Sequence, residues 1–422
     1  MYNIVSRSSL LSLPFAFVFK LLSILRLDFQ WLVIYLPKLL IGVLTACGDY
    51  SFYKMIWMRD GTATAGWFLL LLQTNWFLLY SGSRTLVNTY ETSLLCFGLS
   101  LYPRNSYLLV VALSVMVRPT VVIAWLPLIL QNFWKILNNK GFIKLVKMCF
   151  PPALIVAVIM GIDSIFYGRV TLTPYNFFEV NIIHNLGSFY GSNPVYWYLT
   201  NSFMPIMGPL FFVAVFNLVT DRSRNNITFS PVLLTFIFLS LLEHKEMRFI
   251  QLLLPLLFYS LSRQLHAWYK KPPNSTWVMI LTCANVPLAL YLSLIHQRGV
   301  VDAAVWLGGQ SQVSSALYLM PCHSSPMYSH THNNIIKLGY LTCLPNFENV
   351  SNYKEEVEVF YSNPAKILVE NFMNYQCLVF FDELLSALNG SLSRYEEVVS
   401  FFHSHVASGR VGKTVHIYCK TQ

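Results

Sequence analysis

The stretch "SLLEHKEMRFIQLLLP", residues 240–255, gathers His244, Lys245, Glu246 and Arg248 between two apolar runs. Residues 244–248 are called the HKEMR turn below. An ordinary turn uses one or two polar residues together with Gly, Pro, Asn or Asp, and this turn has none of those four types. Its cations suit an anionic head group, because Arg can hold a phosphate with two hydrogen bonds and Lys adds a point charge. A solvated turn without a ligand is the alternative.

The composition of the chain indicates an integral membrane protein. Of its 422 residues, 55% are hydrophobic and 11% are charged, whereas soluble proteins carry about 25% charged residues. The net charge of +10 is scattered between apolar runs, which does not indicate a nucleic-acid-binding protein. Several of these runs are shorter than the roughly 20 residues of a full span. They cover residues 31–48, 64–80, 86–101, 107–117, 119–134, 148–167, 203–219, 229–243, 249–262 and 276–295.

Two regions of different fold class follow from these patterns. Short or broken hydrophobic segments end inside a membrane protein only where the irregular backbone is buried or lines a cavity. We therefore predict an all-α polytopic membrane region with a cavity over residues 1–297. Residues 298–422 mix the strand-like runs "SALYLM", "QCLVFFD" and "TVHIYC" with the helix-like runs "PAKILVENFM", "DELLSALNG" and "YEEVVSFFH". This alternation predicts a small α/β domain.

The positive charges predict the orientation of the chain. Lys and Arg collect in cytoplasmic loops, and loops 131–147, 221–228 (with Arg222 and Arg224) and 262–273 are basic. Alternation then places loop 168–202, the HKEMR turn and everything after about residue 296 on the luminal side. The glycosylation sequons at Asn349 and Asn389 should therefore be luminal. Those at Asn226 and Asn274 should be cytoplasmic and unmodified.

A second polar group lies in "SGSRTLVNTYETSLL". Arg84, Asn88 and Glu91 are spaced i, i+4, i+7, so they are predicted to share one face of a helix. Ionisable groups near the membrane interior are costly and are therefore candidates for function. We interpret this face as the lining of a cavity, and a structural polar seam between helices is the alternative.

The cysteines and histidines of the C-terminal region allow further expectations. A luminal position permits disulfides among Cys322, Cys343, Cys377 and Cys419, and three pairings are possible. His323, His330 and His332 lie near Cys322, but no carboxylate or second Cys is close in sequence. We therefore predict no metal site there.

The motifs carry a family resemblance. "HKEMRFI" closely resembles the signature of the membrane mannosyltransferases that use dolichol-phosphate mannose, and "SRTLVNTYE" is similar to an R-T-x-x-N-x-x-E helix of that family. The tail "LMPCHSSPMYSHTH…VFYSNP…FFDEL…FFHSH…GRVG" is similar to the branch that adds the third mannose, in α1,2 linkage, to glycosylphosphatidylinositol (GPI) precursors. The resemblance implies a GT-C architecture in the endoplasmic reticulum membrane, with a luminal C-terminal domain.

The resemblance also implies a division of roles among the polar residues. His244, Lys245, Glu246 and Arg248 would hold the donor phosphate. Arg84, Asn88 and Glu91 would line the same luminal cavity. The partners implied are dolichol-phosphate mannose, a GPI precursor glycolipid and membrane lipid, with no metal, no other cofactor and no nucleic acid.

The N-terminal part departs from the family pattern. In the family, a first span and a luminal loop with an Asp-Glu pair, which supplies the base, precede a stretch like "MYNIVSRSSLLSLPFAFVF", and the first acid here is Asp28. We therefore expect that part to be missing, and the catalytic base stays unassigned. A truncated chain and a catalytically impaired relative both remain open. A lipid transporter or scramblase is a further alternative, since broken helices and buried charges suit that class too.

Overall fold

The computed structural model describes residues 7–220, 227–333, 335–344, 346 and 353–421. Arg222, Arg224, Asn226 and Asn349 lie outside the described residues. The chain divides into two compact units. The first lies within Met1–Leu25 and Leu36–Ala289, and the second lies within Arg26–Tyr35 and Leu290–Gln422.

The first unit is built from helices, because a backbone in lipid must satisfy its hydrogen bonds within the segment. Glycines with positive φ interrupt two long helices, at Gly61 (φ 86°) and Gly141 (φ 76°). The helices are α1 (Leu13–Ile24), α2 (Gln30–Thr74), α3 (Trp76–Ser81), α4 (Val87–Leu101), α5 (Tyr107–Val117), α6 (Val122–Tyr167), α7 (Thr173–Phe178), α8 (Met204–Met207), α9 (Leu210–Thr220), α10 (Phe229–Leu241), α11 (Leu254–Tyr269) and α12 (Ser275–Leu294).

Among the described residues, four helical segments are long and apolar enough to cross a membrane. They are Gln30–Thr74, Pro119–Asn138, Gly141–Tyr167 and Ser275–Gly308. A bent pair, Leu199–Met207 with Leu210–Thr220, turns by 102° and forms a broken span or a re-entrant loop. Shorter apolar helices cover Leu13–Ile24, Tyr107–Val117 and Phe229–Leu241. The predicted multi-helical membrane region with short and broken members is confirmed.

The core of the first unit lies where α2, α4, α5, α6, α9 and α11 pack together. Its largest fully buried side chains include Trp67, Trp125, Tyr259 and Phe52. The rings of Phe52 and Tyr259 meet edge to face at 5.7 Å. Burial of aromatic groups of this size contributes most of the packing energy that such a core can supply. This core positions α4 and α11, which both contact the 3₁₀ turn Met247–Leu253 that begins within the HKEMR turn.

The second unit is a small α/β domain around one sheet. Its elements are α13 (Gly299–Gly308), β1 (Ser315–Tyr318), α14 (Tyr328–Thr331), β2 (Lys337–Tyr340), α15 (Glu356–Ser362), α16 (Pro364–Ile367), β3 (Cys377–Phe381), α17 (Leu385–Leu388), β4 (Tyr395–Phe402) and β5 (Thr414–Lys420). The described strands are ordered β2-β1-β3-β5-β4. β1 is parallel to β2 and β3, whereas β5 is antiparallel to β3 and β4. All five residues of β3 are buried, as a strand covered on both faces requires.

The second unit differs in detail from the expectations. "YEEVVSFFH" was expected to be helical, and that prediction is wrong because residues Tyr395–Phe402 form β4 against β5. β2 gave no strand signal in the sequence. Besides Arg26–Tyr35, the unit contains a segment that begins at Leu290, whereas the predicted boundary is at residue 298. Its first residues join it because Tyr291 stacks on His405 at 5.9 Å and the N–H of Gln297 donates to the carbonyl of His403 at 2.7 Å.

The structure selects one of the three disulfide pairings. Cys322 is bonded to Cys343, and Cys377 is bonded to Cys419. The second bond joins residues that face each other in the register of β3 and β5. The predicted possibility of disulfides in this region therefore becomes a specific pairing.

Opening each disulfide should lower the thermal stability by a different amount. The bonds close segments of 21 and 42 residues, and chain entropy gives roughly 3 and 4 kcal/mol for loops of these lengths. We expect Cys377→Ser/Cys419→Ser to lower the unfolding temperature more than Cys322→Ser/Cys343→Ser does. Cys283→Ser, which removes an exposed free thiol, is the control and should have no effect. Peptide mapping under non-reducing conditions checks the pairing, and crossed bonds would contradict it.

Candidate functional site

The HKEMR turn lies in the connection between α10 and α11, and two residues of this connection have an extended backbone. α10 ends at Leu241, and its C-cap Leu242 is extended (ψ 138°). Glu246 is extended as well (φ −133°, ψ 147°) and precedes the 3₁₀ turn Met247–Leu253 that leads into α11. The chain therefore leaves one helix and enters the next through a short non-helical segment. Its polar side chains are presented from that segment.

Glu246 is the centre of the turn. It accepts hydrogen bonds from His244 Nε2 at 3.1 Å and from Arg248 Nη2 at 2.8 Å, both at Oε1. Burial by itself raises the pKa of the Glu246 carboxyl, but the hydrogen bonds from Arg248 and His244 outweigh it and lower the pKa below its ordinary value. The carboxylate is therefore ionised and orients the side chains of Arg248 and His244. The Arg248 side chain remains 42% exposed, so part of its guanidinium is accessible to a ligand.

Lys245 is the most buried member of the turn, with 4% of its surface exposed. Its ammonium donates to the carbonyl oxygen of Asn193 at 2.9 Å and to that of Leu242. Burial lowers the pKa of this ammonium. Because an ammonium has three N–H donors, at most one is left for a phosphate. The sequence-based role of Lys245 in phosphate binding therefore competes with a visible role in fixing the backbone.

The backbone that Lys245 fixes belongs to loop 168–202. The carbonyl of Gly191 lies 3.3 Å from His244 Nδ1, and the N–H of Asn193 donates to the carbonyl of Glu243 at 3.0 Å. The Tyr190 ring meets the His244 ring at 6.2 Å. The two ring nitrogens of His244 therefore lie against two oxygens, Gly191 O and Glu246 Oε1. The loop thus anchors two of the four residues of the predicted site.

A buried ion pair connects the turn to α4. Glu91, with 2% of its surface exposed, lies 3.1 Å from Arg118 Nη1. The guanidinium of Arg118 lies over the Phe249 ring, 4.7 Å from its centroid. Gln251 Nε2 also donates to Thr89 Oγ1 at 3.3 Å. These contacts hold the 3₁₀ turn Met247–Leu253 against α4.

The predicted polar face of α4 is only partly as expected. Asn88 and Glu91 lie on α4, but the helix begins at Val87, so the prediction that Arg84 shares their face is wrong. The chain turns at residues 82–86 instead, and Arg84 stacks on Tyr80 with its guanidinium 3.8 Å from the ring centroid. Asn88 is 4% exposed, and within the described structure its Nδ2 has no hydrogen-bond partner.

The histidines near Cys322 make other contacts. Cys322 is in a disulfide, and His332 Nε2 lies 3.1 Å from the carbonyl of Asp28. In the part of the chain that the structure describes, no three His, Cys, Asp or Glu side chains are grouped closely enough to hold a metal ion.

Sequence reasoning missed two parts of this arrangement. Arg118 lies between the apolar runs 107–117 and 119–134 and was not predicted as a site residue. A rare charge between two apolar runs is itself a signal of a buried partner. The backbone carbonyls of Gly191 and Asn193 gave no signal, because any residue type can supply a carbonyl.

Taken together, the site combines an exposed arginine, an imidazole between two acceptors and a buried lysine on a scaffold braced by an ion pair. Such a group can bind and stabilise a phosphate that develops negative charge. Within the described residues near the turn, Glu246 is committed to Arg248 and His244, and Glu91 is committed to Arg118. Neither carboxylate is placed to act as a free base.

Comparisons with known proteins give a consistent family relationship. A sequence model of the Alg9-like mannosyltransferase family matches residues 2–332. The chain is similar to GPI alpha-1,2-mannosyltransferase 3 from Danio rerio, with 34% identity over 97% of this chain and 79% of the relative. It is 34% identical to GPI alpha-1,2-mannosyltransferase 3 from Homo sapiens, over 98% of this chain and 77% of the relative.

A solved structure has a similar fold. The crystal structure of ArnT from Cupriavidus metallidurans, bound to undecaprenyl phosphate, aligns with a TM-score of 0.61 at 13% identity. The alignment covers 98% of this chain and 88% of that one. The chain therefore has a GT-C type fold.

Proposed function

The chain belongs to the Alg9-like mannosyltransferase family, and we propose that it adds the third mannose, in α1,2 linkage, to a GPI precursor. It is a glycosyltransferase of the membrane. The proposed donor is dolichol-phosphate mannose and the proposed acceptor is a GPI intermediate that already bears two mannoses. The names of the similar relatives support the linkage and the acceptor class. The exposed Arg248 beside His244 is the observation that supports a phosphate-linked donor.

The proposed reaction is a displacement at the anomeric carbon of the donor. An acceptor hydroxyl oxygen forms a bond to that carbon, while the bond from the carbon to the phosphate oxygen breaks. The phosphate leaves with the electron pair, and the hydroxyl proton passes to a base that we do not assign. Arg248 stabilises the charge that grows on the phosphate. His244 contacts Gly191 O and Glu246 Oε1 and thereby keeps the turn in position beside Arg248. Lys245 keeps the loop around Asn193 in place and offers its remaining N–H.

Transfer of the third mannose can be tested in cells that lack this step and accumulate the two-mannose GPI intermediate. Expression of the full-length protein should convert this intermediate into the three-mannose form, as seen by chromatography of mannose-labelled lipids. If the intermediate persists while the protein is present in the membrane, the proposed function is wrong. Dependence on dolichol-phosphate mannose can be tested in microsomes by supplying labelled donor.

The proposed topology places the catalytic site and the second unit in the lumen of the endoplasmic reticulum. The basic segments 131–147, which is helical within α6, and 262–273, which includes the end of α11, then face the cytoplasm, as the distribution of Lys and Arg favours. Asn389 is exposed in a 3₁₀ turn, Asn389–Ser391. Asn274 is exposed too, and its side chain accepts a hydrogen bond from Trp277 N at 3.2 Å.

Glycosylation of these two asparagines should differ. A glycosidase that trims endoplasmic-reticulum glycans should shift the mobility of the wild-type protein. Asn389→Gln should remove the part of the shift that comes from this site, because the oligosaccharyltransferase acts in the lumen. Asn274→Gln is the matched control and should change nothing. A glycan on Asn274 would contradict the proposed topology.

A further inference from the structure

A cavity lies near the N-terminal end of α5 (Tyr107–Val117). None of its lining residues that the structure describes belongs to the proposed catalytic site. Its volume is about 320 Å³, within the range of small-ligand pockets. Its lining contains both polar or charged side chains and apolar ones. The lining includes Asn105, Ser106, Lys144, Lys147, Pro151 and Pro152.

The charge around this cavity is not balanced. No Asp or Glu occurs between Glu91 and Asp163, and the described residues that line the cavity include no carboxylate. Among the described residues, neither Lys144 nor Lys147 lies within ion-pair distance of a carboxylate. Two exposed ammonium groups spaced i, i+3 on one helix face therefore point to an anion as the missing partner.

The surroundings of the two lysines indicate which kind of anion would bind. Gly141–Tyr167 is one of the helices that can cross a membrane, and both lysines lie in its first two turns. Phe142, Val146 and Phe150 recur every four residues on the same helix and are 71%, 50% and 67% exposed. An apolar face beside two cations at a helix end is typical of the membrane–water interface, where lipid head groups lie.

We propose that this cavity binds the phosphate-bearing head group of an anionic phospholipid. The phosphate lies between Lys144 and Lys147, with Asn105 and Ser106 as further hydrogen-bonding groups. The acyl chains follow the apolar face that includes Phe150. The proposal does not depend on the catalytic activity. It is independent of the HKEMR turn, since the two sites share no residue.

The test is native mass spectrometry of the purified full chain in mixed micelles that contain phosphatidylserine or phosphatidylcholine. Phosphatidylserine is chosen because its head group shares no sugar with the proposed substrates. We expect the protein to retain phosphatidylserine in preference to phosphatidylcholine. Lys144→Gln/Lys147→Gln should weaken this retention about thirtyfold, since each basic residue near an anionic lipid contributes about a factor of five.

Two further variants keep the test specific. Lys270→Gln/Lys271→Gln removes two exposed lysines from another basic loop and should leave retention unchanged. Ser106→Phe fills part of the cavity without changing its charge and should weaken retention as well. If both lysine pairs weaken binding equally, the effect is general surface charge and the proposal fails. It fails as well if the Lys144/Lys147 variant binds like the wild type.

Competition with soluble compounds distinguishes binding of a lipid from binding of a free phosphate. Glycerophosphoserine has the same head group and no acyl chains, and it should compete with the bound lipid only weakly. If it or inorganic phosphate displaces the lipid at equal concentration, the cavity is a site for soluble phosphate. That result would overturn the membrane-lipid assignment.

Discussion

Arg248→Ala is expected to slow mannose transfer about 10²- to 10³-fold, the loss that follows removal of one preorganised donor to a developing negative charge. Arg248 is the accessible cation of the HKEMR turn, and Glu246 already fixes its orientation at 2.8 Å. Because the charge on the phosphate grows as its bond to mannose breaks, the loss should appear in kcat more than in KM. Transfer of labelled mannose in microsomes measures it.

Two controls separate this effect from a general loss of structure. Arg248→Lys keeps the charge but not the planar fork, and it should retain an intermediate rate. Arg298→Ala removes another exposed arginine, one that pairs with Asp302 at 2.9 Å in the second unit, and it should transfer mannose at the wild-type rate. If Arg248→Ala remained within threefold of the wild type, the assignment of the donor phosphate to this turn would be wrong.

Arg118→Met is expected to lower the unfolding temperature by roughly 5 °C. The change leaves the buried Glu91 carboxylate without its partner at 3.1 Å, and breaking a buried ion pair from one side costs about 3–5 kcal/mol. It also removes the cation above Phe249. Thermal unfolding of the purified protein in detergent, followed by intrinsic fluorescence, measures the change.

The double variant Arg118→Met/Glu91→Leu tests this explanation. Replacement of both partners by apolar residues of similar volume is often neutral, so the double variant should regain most of the lost stability. It should not regain transfer activity, because the contact to Phe249 that braces the turn is still missing. A double variant no more stable than Arg118→Met would show that the ion pair is not the source of the loss.

The membrane region was largely predictable from sequence because its signal is local. Long apolar runs must become helices in lipid, and charges within them are rare enough to identify Glu91 and the HKEMR turn. The residue at which a helix begins was less predictable. Arg84 fits an i, i+4, i+7 pattern with Asn88 and Glu91, yet the chain turns at residues 82–86 before α4 begins.

The contacts that complete the site were not predictable, because they join distant parts of the chain. Nothing in "GSNPV" indicates that the carbonyl of Asn193 receives the ammonium of Lys245. β4 shows the same limit, since "YEEVVSFFH" has helix-like spacing. Its pairing with β5 decides its structure, and strand preference depends on such neighbours more than helix preference does.

The order of strands in the sheet also constrains how the second unit is made on the ribosome. β4 leaves the ribosome before β5, but β5 lies between β4 and β3. β4 therefore has no strand to pair with until β5 emerges and inserts. Cys377 likewise remains without its partner Cys419 until 42 further residues have been synthesised. During that interval a thiol–disulfide exchange with Cys322 or Cys343 can give a wrong pairing, which only the arrival of Cys419 on β5 allows to be replaced by the native bond.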